Sequence, residues 1–389
     1  MSRIFAVLVF LVLAASAEPQ TFVPPQAQSS DRVVQLLKEL TDAPGPPGYE
    51  EAVRKLMADH MREFSSKVSY DGLGSVIAQQ GDAGPRIMLD AHMDELGGMV
   101  RRIRPDGFIS MQTLGFWLAA ALPDQRWVIL GSKGAVPAVT DIWDAHIAPH
   151  DPQGGTQKQD LYLDTGARSA ADVAALGISP GDPVVPVTDF AILANNRYVA
   201  KAWDDRVGCA VMLEVMRRLA KTAHPNQVFY AATVQEEGSG EMRGAQTSVR
   251  SIDPDLGFSL EVGIPNDVPG PGADAAQEVL GGGPGMMLYT FSELPNRKLV
   301  AYVKQVAADN HIPLQFDFVG GFGDDAGAIK LNKTGVPVTT VLVPARSTHA
   351  HNGIIDRSDF DRTVELMVAL IQSLDAPTVA KIKSFEPAK

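Results

Sequence analysis

The sequence has little of several residue types, and each shortage excludes a class of protein. It contains one cysteine, Cys209, among 389 residues, so neither an intrachain disulfide nor a thiolate metal cluster can form. Basic residues number 34 against 46 acidic ones, a balance that disfavours a protein that follows a nucleic-acid backbone. Glycine and proline number 35 and 27 without a repeating triplet, which excludes a collagen-like chain. The hydrophobic fraction of 45% is typical of a globular protein with a sizeable core.

Long apolar runs are also scarce, and the one candidate lies at the N-terminus. Residues 4–14 are apolar, Arg3 precedes them, and the small residues 15–17 (ASA) follow. The run is shorter than the ~20 residues that a membrane-spanning helix needs. Its three parts are typical of a secretory signal peptide. We therefore expect residues 1–17 to be removed, the mature protein to be periplasmic or secreted, and no stable membrane anchor to remain.

The pattern of the remaining chain changes twice. Residues 18–97 and 192–389 alternate strand-like apolar runs with helical ones, including predicted helices over 206–220 and 358–374. This alternation predicts an α/β fold, with a mostly parallel sheet and helices on both faces. Residues 98–191 lack helical periodicity and consist of short β-rich runs between Gly, Pro and Asp turns. We expect them to form a small β-rich domain inserted into the larger one.

Ionisable side chains gather where the predicted strands end. In open α/β sheets, ligands bind beyond the carboxyl ends of the strands. Histidines and carboxylates at that edge suit divalent zinc, cobalt or manganese. The side chains at these strand ends are His92, Asp94, Glu236, Glu237, Glu261, His349 and His351, and Asp204 and Asp205 precede the helix over 206–220. Together they predict a metal site.

Each of these residues also has a simpler interpretation. A lone His92 could be a structural histidine, and Asp204-Asp205 could cap the helix that follows. Glu236 and Glu237 are harder to explain in this way, because adjacent carboxylates after an apolar strand repel each other unless a cation or proton intervenes. The combination favours the metal site over the separate structural roles.

The motifs around these residues resemble the M42 family of metallo-aminopeptidases, some of which are named endoglucanases. The resemblance covers about residues 31–375 and keeps the order of the motifs AHMDELGGMV, AKAWDDRVGCA, VQEEGSGEMRGA, GFGDDAGAI and ARSTHAH. It implies a zinc-exopeptidase-like fold with a PDZ-like or barrel insertion. It also implies removal of N-terminal residues from peptides by a hydroxide that bridges two divalent ions per chain, with zinc or cobalt expected.

The resemblance implies a role for each residue. By position, His92 and Glu261 resemble the ligands of a first metal, and Glu237 and His349 resemble the ligands of a second. Asp204 resembles the carboxylate that bridges both metals. Glu236 resembles the general base, and Asp94 resembles the acid that orients His92. Glu261 departs from the aspartate that is more common in the family. The peptide bond between Asp204 and Asp205 is expected to be cis. Asp205, His351 and Arg346 are weaker candidates for contacts behind the ligands or against the substrate.

Two other classes of function remain open on the sequence alone. One is a different metal-dependent hydrolase, such as a carboxypeptidase, a deacylase or an endoglucanase. The other is a non-catalytic peptide-binding oligomer. For the assembly, the resemblance implies a homo-oligomer in which residues 98–191 build dimers and the dimers join into a tetrahedral dodecamer with enclosed active sites. Peptides are the expected partners, and nucleic acids are not.

Overall fold

The structure is a computed structural model that describes residues 30–141, 161–238, 240–270 and 277–386. The predicted signal peptide and the scattered Asp144, His146 and His150 of the insertion lie outside these residues. Within the described ranges, no helix combines the length and the apolar character needed to span a bilayer.

The described residues form a long run of strands after the first two helices and alternate between strands and helices from α4 onward. In chain order, the strands are β1 (Lys67–Tyr70), β2 (Val76–Gln80), β3 (Arg86–His92), β4 (Gly97–Ile103), β5 (Ile109–Leu114), β6 (Arg126–Gly131), β7 (Gly134–Asp141), β8 (Tyr162–Asp164), β9 (Pro183–Pro186), β10 (Ala191–Ile192), β11 (Arg197–Ala200), β12 (Gln227–Thr233), β13 (Leu256–Gly263), β14 (Gly285–Tyr289), β15 (Gln315–Phe318), β16 (Val338–Arg346) and β17 (Gly353–Asp356). The helices are α1 (Arg32–Asp42), α2 (Glu51–Phe64), α3 (Ala170–Ala175), α4 (Trp203–Leu219), α5 (Arg243–Ile252), α6 (Arg297–Asp309), α7 (Ala326–Ile329), α8 (Arg357–Ser373) and α9 (Ala376–Lys383).

The larger sheet is mixed, so the prediction of a mostly parallel sheet holds only for its centre. Its main path is β1-β2-β12-β3-β13-β16-β17-β11-β10, with β14 beside β16 and β15 beside β14. The central strands β12, β3, β13 and β16 are parallel, and the strands outside them on this path pair antiparallel. The reason is the length of the connections. Five residues join β1 to β2, whereas a parallel crossover needs about a dozen or more.

Helices cover both faces of this sheet, as predicted. Along β3, Ile87 and Leu89 belong to the larger core, which also contains most of α4. Met88 points to the opposite face and belongs to a smaller core with residues of α5 and α7. This alternation is the period of two expected of a strand that is buried on both faces.

The predicted β-rich insertion is confirmed as a small closed barrel. Its strand order is β4-β5-β8-β7-β6-β9, and all its pairs are antiparallel. It has a core of its own around Trp127, Ile129 and Leu163. Closure leaves the barrel without a free sheet edge. The barrel strands run from Gly97 to Pro186, and domain boundaries at 98 and 191 stay a prediction.

A buried charged network fixes the beginning of α4, where Asp204 lies. The side chain of Arg206 is wholly buried and donates to the carbonyl oxygens of Leu40 at 2.5 Å and Ala43 at 2.9 Å. Its guanidinium also lies 3.8 Å from the carboxylate of Glu95. That carboxylate accepts a hydrogen bond from the buried ammonium of Lys201 as well. The network thus ties the end of α1 to the beginning of α4.

Replacing Arg206 with methionine should lower the free energy of unfolding by ~3 kcal/mol, because two buried carbonyl groups lose their donor and Glu95 loses a cation. Equilibrium urea unfolding measures the change. Arg217→Met is a matched control on the same helix, since Arg217 is 41% exposed and pairs with Glu214; its effect should stay below ~1 kcal/mol. Equal losses in the two variants would contradict the anchoring role.

Candidate metal centre

The parallel centre of the large sheet brings the predicted site residues to one edge. His92 ends β3 and pairs in register with Thr233 of β12, so the Glu236–Glu237 segment that follows β12 lies beside it. Glu261 lies near the end of β13, the other neighbour of β3. The carboxyl ends of parallel strands meet at one edge, which explains why residues far apart in sequence converge here.

Asp204 lies between the two histidines and contacts each with a different oxygen. Its Oδ1 is 3.0 Å from Nε2 of His92, and its Oδ2 is 3.2 Å from Nε2 of His349. The peptide bond between Asp204 and Asp205 is cis, as the resemblance implies. A carboxylate that faces two imidazoles from its two oxygens has the arrangement of a bridging metal ligand.

Each histidine has a further carboxylate beside it. Nε2 of His92 lies 3.4 Å from the carboxylate of Glu261, and Nε2 of His349 lies 3.7 Å from that of Glu237. Two groups of ligand atoms therefore share Asp204, one with His92 and Glu261 and one with Glu237 and His349, each within 4.8 Å. A third possible group, His92 with Glu236 and Glu237, overlaps both. We favour the first two, because they alone use both oxygens of Asp204.

Asp94 organises the site by more than its contact with His92. Its two carboxylate oxygens accept the backbone N–H groups of Glu236 at 3.1 Å and Glu237 at 3.0 Å. Nδ1–H of His92 donates to the backbone carbonyl of Asp94 at 3.1 Å and lies 3.6 Å from the carboxylate. Asp94 therefore fixes the imidazole mainly through its carbonyl, and its carboxylate holds the pair of glutamates.

The electrostatics of the site favour a cation. Burial, together with repulsion from Asp204, raises the pKa of Glu237 to about 7 and that of Glu261 to about 8. Burial raises the pKa of Glu236 well above its usual range. Burial alone would lower the pKa of His349, but the carboxylates of Asp204 and Glu237 raise it to about 10. Oε1 of Glu237 is buried without a hydrogen-bond partner among the described residues. Divalent ions would supply the positive charge that protons supply otherwise, so the donor set fits a metal.

The barrel contributes directly to this site, which the sequence analysis missed. Nδ1–H of His349 donates to the carbonyl oxygen of Phe116 at 2.8 Å, and Leu118 N–H donates to the carbonyl of His349 at 3.0 Å. Gly115 has φ +87°, and a Cβ there would lie 2.1 Å from Leu96 and 3.0 Å from the Glu237 carboxylate. The segment 115–118 therefore passes close over the ligands and orients one of them. Backbone contacts of this kind leave no residue-type signal in a sequence.

None of the three weaker candidates belongs to the groups of possible ligand atoms among the described residues. Asp205 is buried behind the site, where its Oδ1 accepts the Gly208 N–H at 2.9 Å. The guanidinium of Arg346 forms two hydrogen bonds of 2.5 Å with Asp267. On a continuous strand, His349 and His351 would point the same way. β16 ends at Arg346, however, and His349 has a left-handed φ of +61°, so the two histidines diverge.

His351 instead packs in an apolar setting. Its ring centroid lies 4.5 Å from that of Trp127 and 5.1 Å from that of Trp117. Neither ring nitrogen has a hydrogen-bond partner among the described residues, and the residue is 2% exposed. Burial, with a contribution from Lys201, lowers the pKa of His351 to about 4. The histidine is therefore neutral at physiological pH and joins the barrel to the His349 segment.

Comparison with known proteins agrees with this geometry. A model of the M42 glutamyl aminopeptidase family matches residues 74–366. The chain is 33% identical to a glutamyl aminopeptidase of Lactococcus lactis, over 90% of this chain and 98% of that relative. It is 30% identical to a lysyl aminopeptidase of Pyrococcus furiosus, over 87% of this chain and 97% of that relative.

The chain belongs to the M42 family. Two solved structures agree: a TET aminopeptidase from a marine sediment archaeon of the Thaumarchaeota is 37% identical, with a TM-score of 0.88 over 91% of this chain and 99% of that one. The TET1 peptidase of Pyrococcus horikoshii, which can assemble into a tetrahedron or a large octahedral shell, is 25% identical, with a TM-score of 0.80 over 88% of this chain and 100% of that one. This M42 protein is thus a hydrolase that acts on peptides, in a metal-dependent family.

Membership of the M42 family corrects the prediction of where the protein is located. Export to the periplasm or the cell exterior is wrong, because the M42 relatives are typically cytosolic peptidases. The predicted signal peptide receives no support from these relatives. An apolar run flanked by Arg3 and small residues satisfied the pattern of an exported protein, but the pattern is short and carries no information on the compartment of the folded enzyme.

Replacing His351 with phenylalanine should reduce the sensitivity of stability to acid. An unfolded histidine titrates near pH ~6.5, whereas the pKa of folded His351 is about 4. Between these pH values the unfolded state binds more protons than the folded state. The free energy of unfolding of the wild type therefore falls as pH falls, by up to ~3 kcal/mol once the pH is below both pKa values. Urea unfolding measures the free energy of unfolding of the variant and the wild type at pH 7.5 and pH 4.5. Subtracting the pH-dependent change in the variant from that in the wild type cancels the titration of other groups.

The matched control is His60→Phe, because His60 lies near the surface, beside Glu39 and Glu63. This variant should keep the acid sensitivity of the wild type. An unchanged pH dependence in His351→Phe would show that His351 is not held neutral by its apolar setting.

Proposed function

We propose that this chain is a dinuclear metallo-aminopeptidase with zinc or cobalt at both positions. The observation that carries the proposal is the position of Asp204, whose two oxygens face two histidines. His92 and Glu261 would hold one ion, Glu237 and His349 the other, and Asp204 both. Glu261 retains contact with His92 at 3.4 Å, so its additional methylene, relative to the family's aspartate, does not remove it from the site.

Glu236 is the proposed general base. It lines the cavity above the ligands, and its Oε2 lies 3.9 Å from Nε2 of His92. Two divalent ions held here would polarise the scissile carbonyl and make water a stronger acid. The Glu236 carboxylate takes a proton from the attacking water and later gives it to the departing amine. Asp94 holds the backbone of Glu236, so the carboxylate keeps its position through both transfers.

The charge of the cavity supports action at the amino end of a peptide. Its floor carries the carboxylates of Asp204, Glu236, Glu237 and Glu261. A free α-amine can bind a metal or a carboxylate of this floor. A carboxypeptidase must instead hold a substrate carboxylate with a cation apart from the metal, and none of the described lining residues is a lysine or an arginine. A peptide with a blocked amino end should therefore be a poor substrate.

Glu236→Gln should lower kcat on an aminoacyl-p-nitroanilide by ~10²–10⁴ while retaining the metal, because the amide keeps the size but cannot accept the proton. Steady-state kinetics and elemental analysis of the same reconstituted sample measure both effects. Glu241→Gln, a change at an exposed glutamate near the cavity, is the matched control and should retain activity.

His349→Ala completes the design, since it should lower the metal content from about two ions per chain. Near-normal turnover in a metal-loaded Glu236→Gln enzyme would exclude Glu236 as the base. One ion per chain, unaffected by His349→Ala, would exclude the shared site.

Activity that survives a chelator would favour a glycoside hydrolase, which uses two carboxylates without metal. Faster cleavage of N-blocked peptides would favour a carboxypeptidase or deacylase.

We also propose that the chain forms a homo-oligomer, built from dimers and closing into a dodecamer. The related TET1 peptidase assembles into closed shells. In this chain, Leu294 and Phe385 are 73% and 89% exposed and line one surface cavity together. Exposed apolar side chains that lie together are typical of surfaces that associate.

Light scattering should therefore give a mass well above the 41.6 kDa of one chain. Enclosed active sites also predict that turnover falls as peptides lengthen, because only short chains enter a closed shell. A fully active monomer at micromolar concentration would contradict the assembly. Efficient trimming of a folded protein would contradict the enclosure while leaving the oligomer intact.

A further inference from the structure

The cavity above the candidate ligands is larger than the reacting bond requires. It has a volume of about 620 Å³, and its floor includes Asp204, Glu236, Glu237, Glu261 and His349. Pockets of this size bind small molecules with much of their surface buried. If the scissile bond lies over the floor, the side chain of the substrate's first residue must lie against the walls. Their chemistry therefore decides which residue is removed.

The walls are mostly apolar. One comes from the barrel, through Thr113 and Phe116, and the facing one comes from loops at the sheet edge. The apolar side chains that line the cavity are Phe116, Met242, Ile264, Phe291, Val319 and Phe322. None of the described lining residues is a lysine or an arginine. An acidic substrate side chain would thus enter without a cation to pair with, which is costly for a buried charge.

The cations near the cavity are paired with other groups. Arg243 follows the lining residue Met242, but its Nε lies 2.9 Å from the carboxylate of Glu241. Arg346 is held by Asp267, as described above. The carboxylates that line the cavity also have other roles, because each of those described belongs to the proposed ligands or is the proposed base. A basic substrate side chain would therefore find no carboxylate of its own.

The apolar wall is also tightly built. A Cβ at Gly323 would lie 2.8 Å from the Phe291 ring and 3.1 Å from the Met242 side chain. These contacts hold Phe291 against the loop of residues 319–323, although the ring is 66% exposed. The wall therefore presents apolar side chains close beside the candidate ligands.

We propose that this enzyme prefers N-terminal residues with uncharged, apolar side chains, such as leucine, methionine and phenylalanine, over acidic or basic ones. The proposal rests on the aminopeptidase function proposed above. An apolar pocket commonly distinguishes side chains that differ by one methylene by ~10-fold or more. A charged side chain loses further, because it gives up its water without gaining a partner.

The test compares kcat/KM of the metal-loaded, full-length enzyme on Leu-, Ala-, Glu- and Lys-p-nitroanilide. Leucine should exceed alanine by ~10-fold or more, and the glutamyl and lysyl substrates should be slower than leucine by a larger factor. A higher kcat/KM for the glutamyl or lysyl substrate would overturn the preference and leave the aminopeptidase function standing. Hydrolysis of none of the four would overturn that function and the preference with it.

A second experiment adds a positive charge to the apolar wall of the cavity. Ile264→Lys, with Val319→Lys as a second site in case the first variant folds poorly, should raise the ratio of glutamyl to leucyl kcat/KM by ~10-fold or more. Leu193→Lys adds the same charge at a 41% exposed position outside the lining residues and should leave the ratio unchanged. No change in the ratio for either wall variant, or an equal rise in Leu193→Lys, would show that these walls do not contact the substrate side chain.

Discussion

The site depends on the cost of burying several carboxylates together at the end of a parallel sheet. Asp204, Glu236, Glu237 and Glu261 are each at most 8% exposed, and negative charges so close repel strongly when water is absent. Two histidines and a cation can offset that repulsion. The contacts of Asp204 with both imidazoles follow from this requirement, as does the position of Asp94, whose carboxylate accepts backbone N–H groups and needs no further cation. The remaining structure holds these charges in place.

The large sheet and the barrel together hold these charged side chains in position. The large sheet presents His92, Glu236 and Glu261 at adjoining strand ends, and Arg206 fixes the beginning of the helix that carries Asp204. The barrel orients His349 through the carbonyl of Phe116. It also supplies one wall of the cavity, so the same segment that positions a ligand contacts the side chain of the substrate in the proposed specificity. The insertion therefore helps to form the candidate site, besides its proposed part in the assembly.

The sequence predicted the features that rest on residue type and period. The central parallel strands were visible as apolar runs, and the ligand-type residues at their ends had no better explanation as a group. The mixed edges of the sheet were less visible, because β14 and β15 are short and their pairing depends on distant partners. Helix α5 was also missed, although Ala245, Val249 and Ile252 have helical spacing. The turn at His349 and the carbonyl of Phe116 could not be predicted, since both are properties of the backbone. The short apolar run at residues 4–14 predicted export, and comparison with the M42 relatives was needed to correct that prediction.

The hydrogen bond between Phe116 and His349 has a consequence for how the chain can be divided. A domain inserted in a loop is often regarded as a module that can be exchanged or deleted without loss to its host. Here the candidate ligand His349 of the larger unit takes its orientation from the inserted barrel, across 233 residues of sequence. Neither unit is complete alone, because the orientation of His349 in one depends on a backbone carbonyl of the other. A chimaera that joins the sheet of one relative to the barrel of another inherits this dependence at its junction.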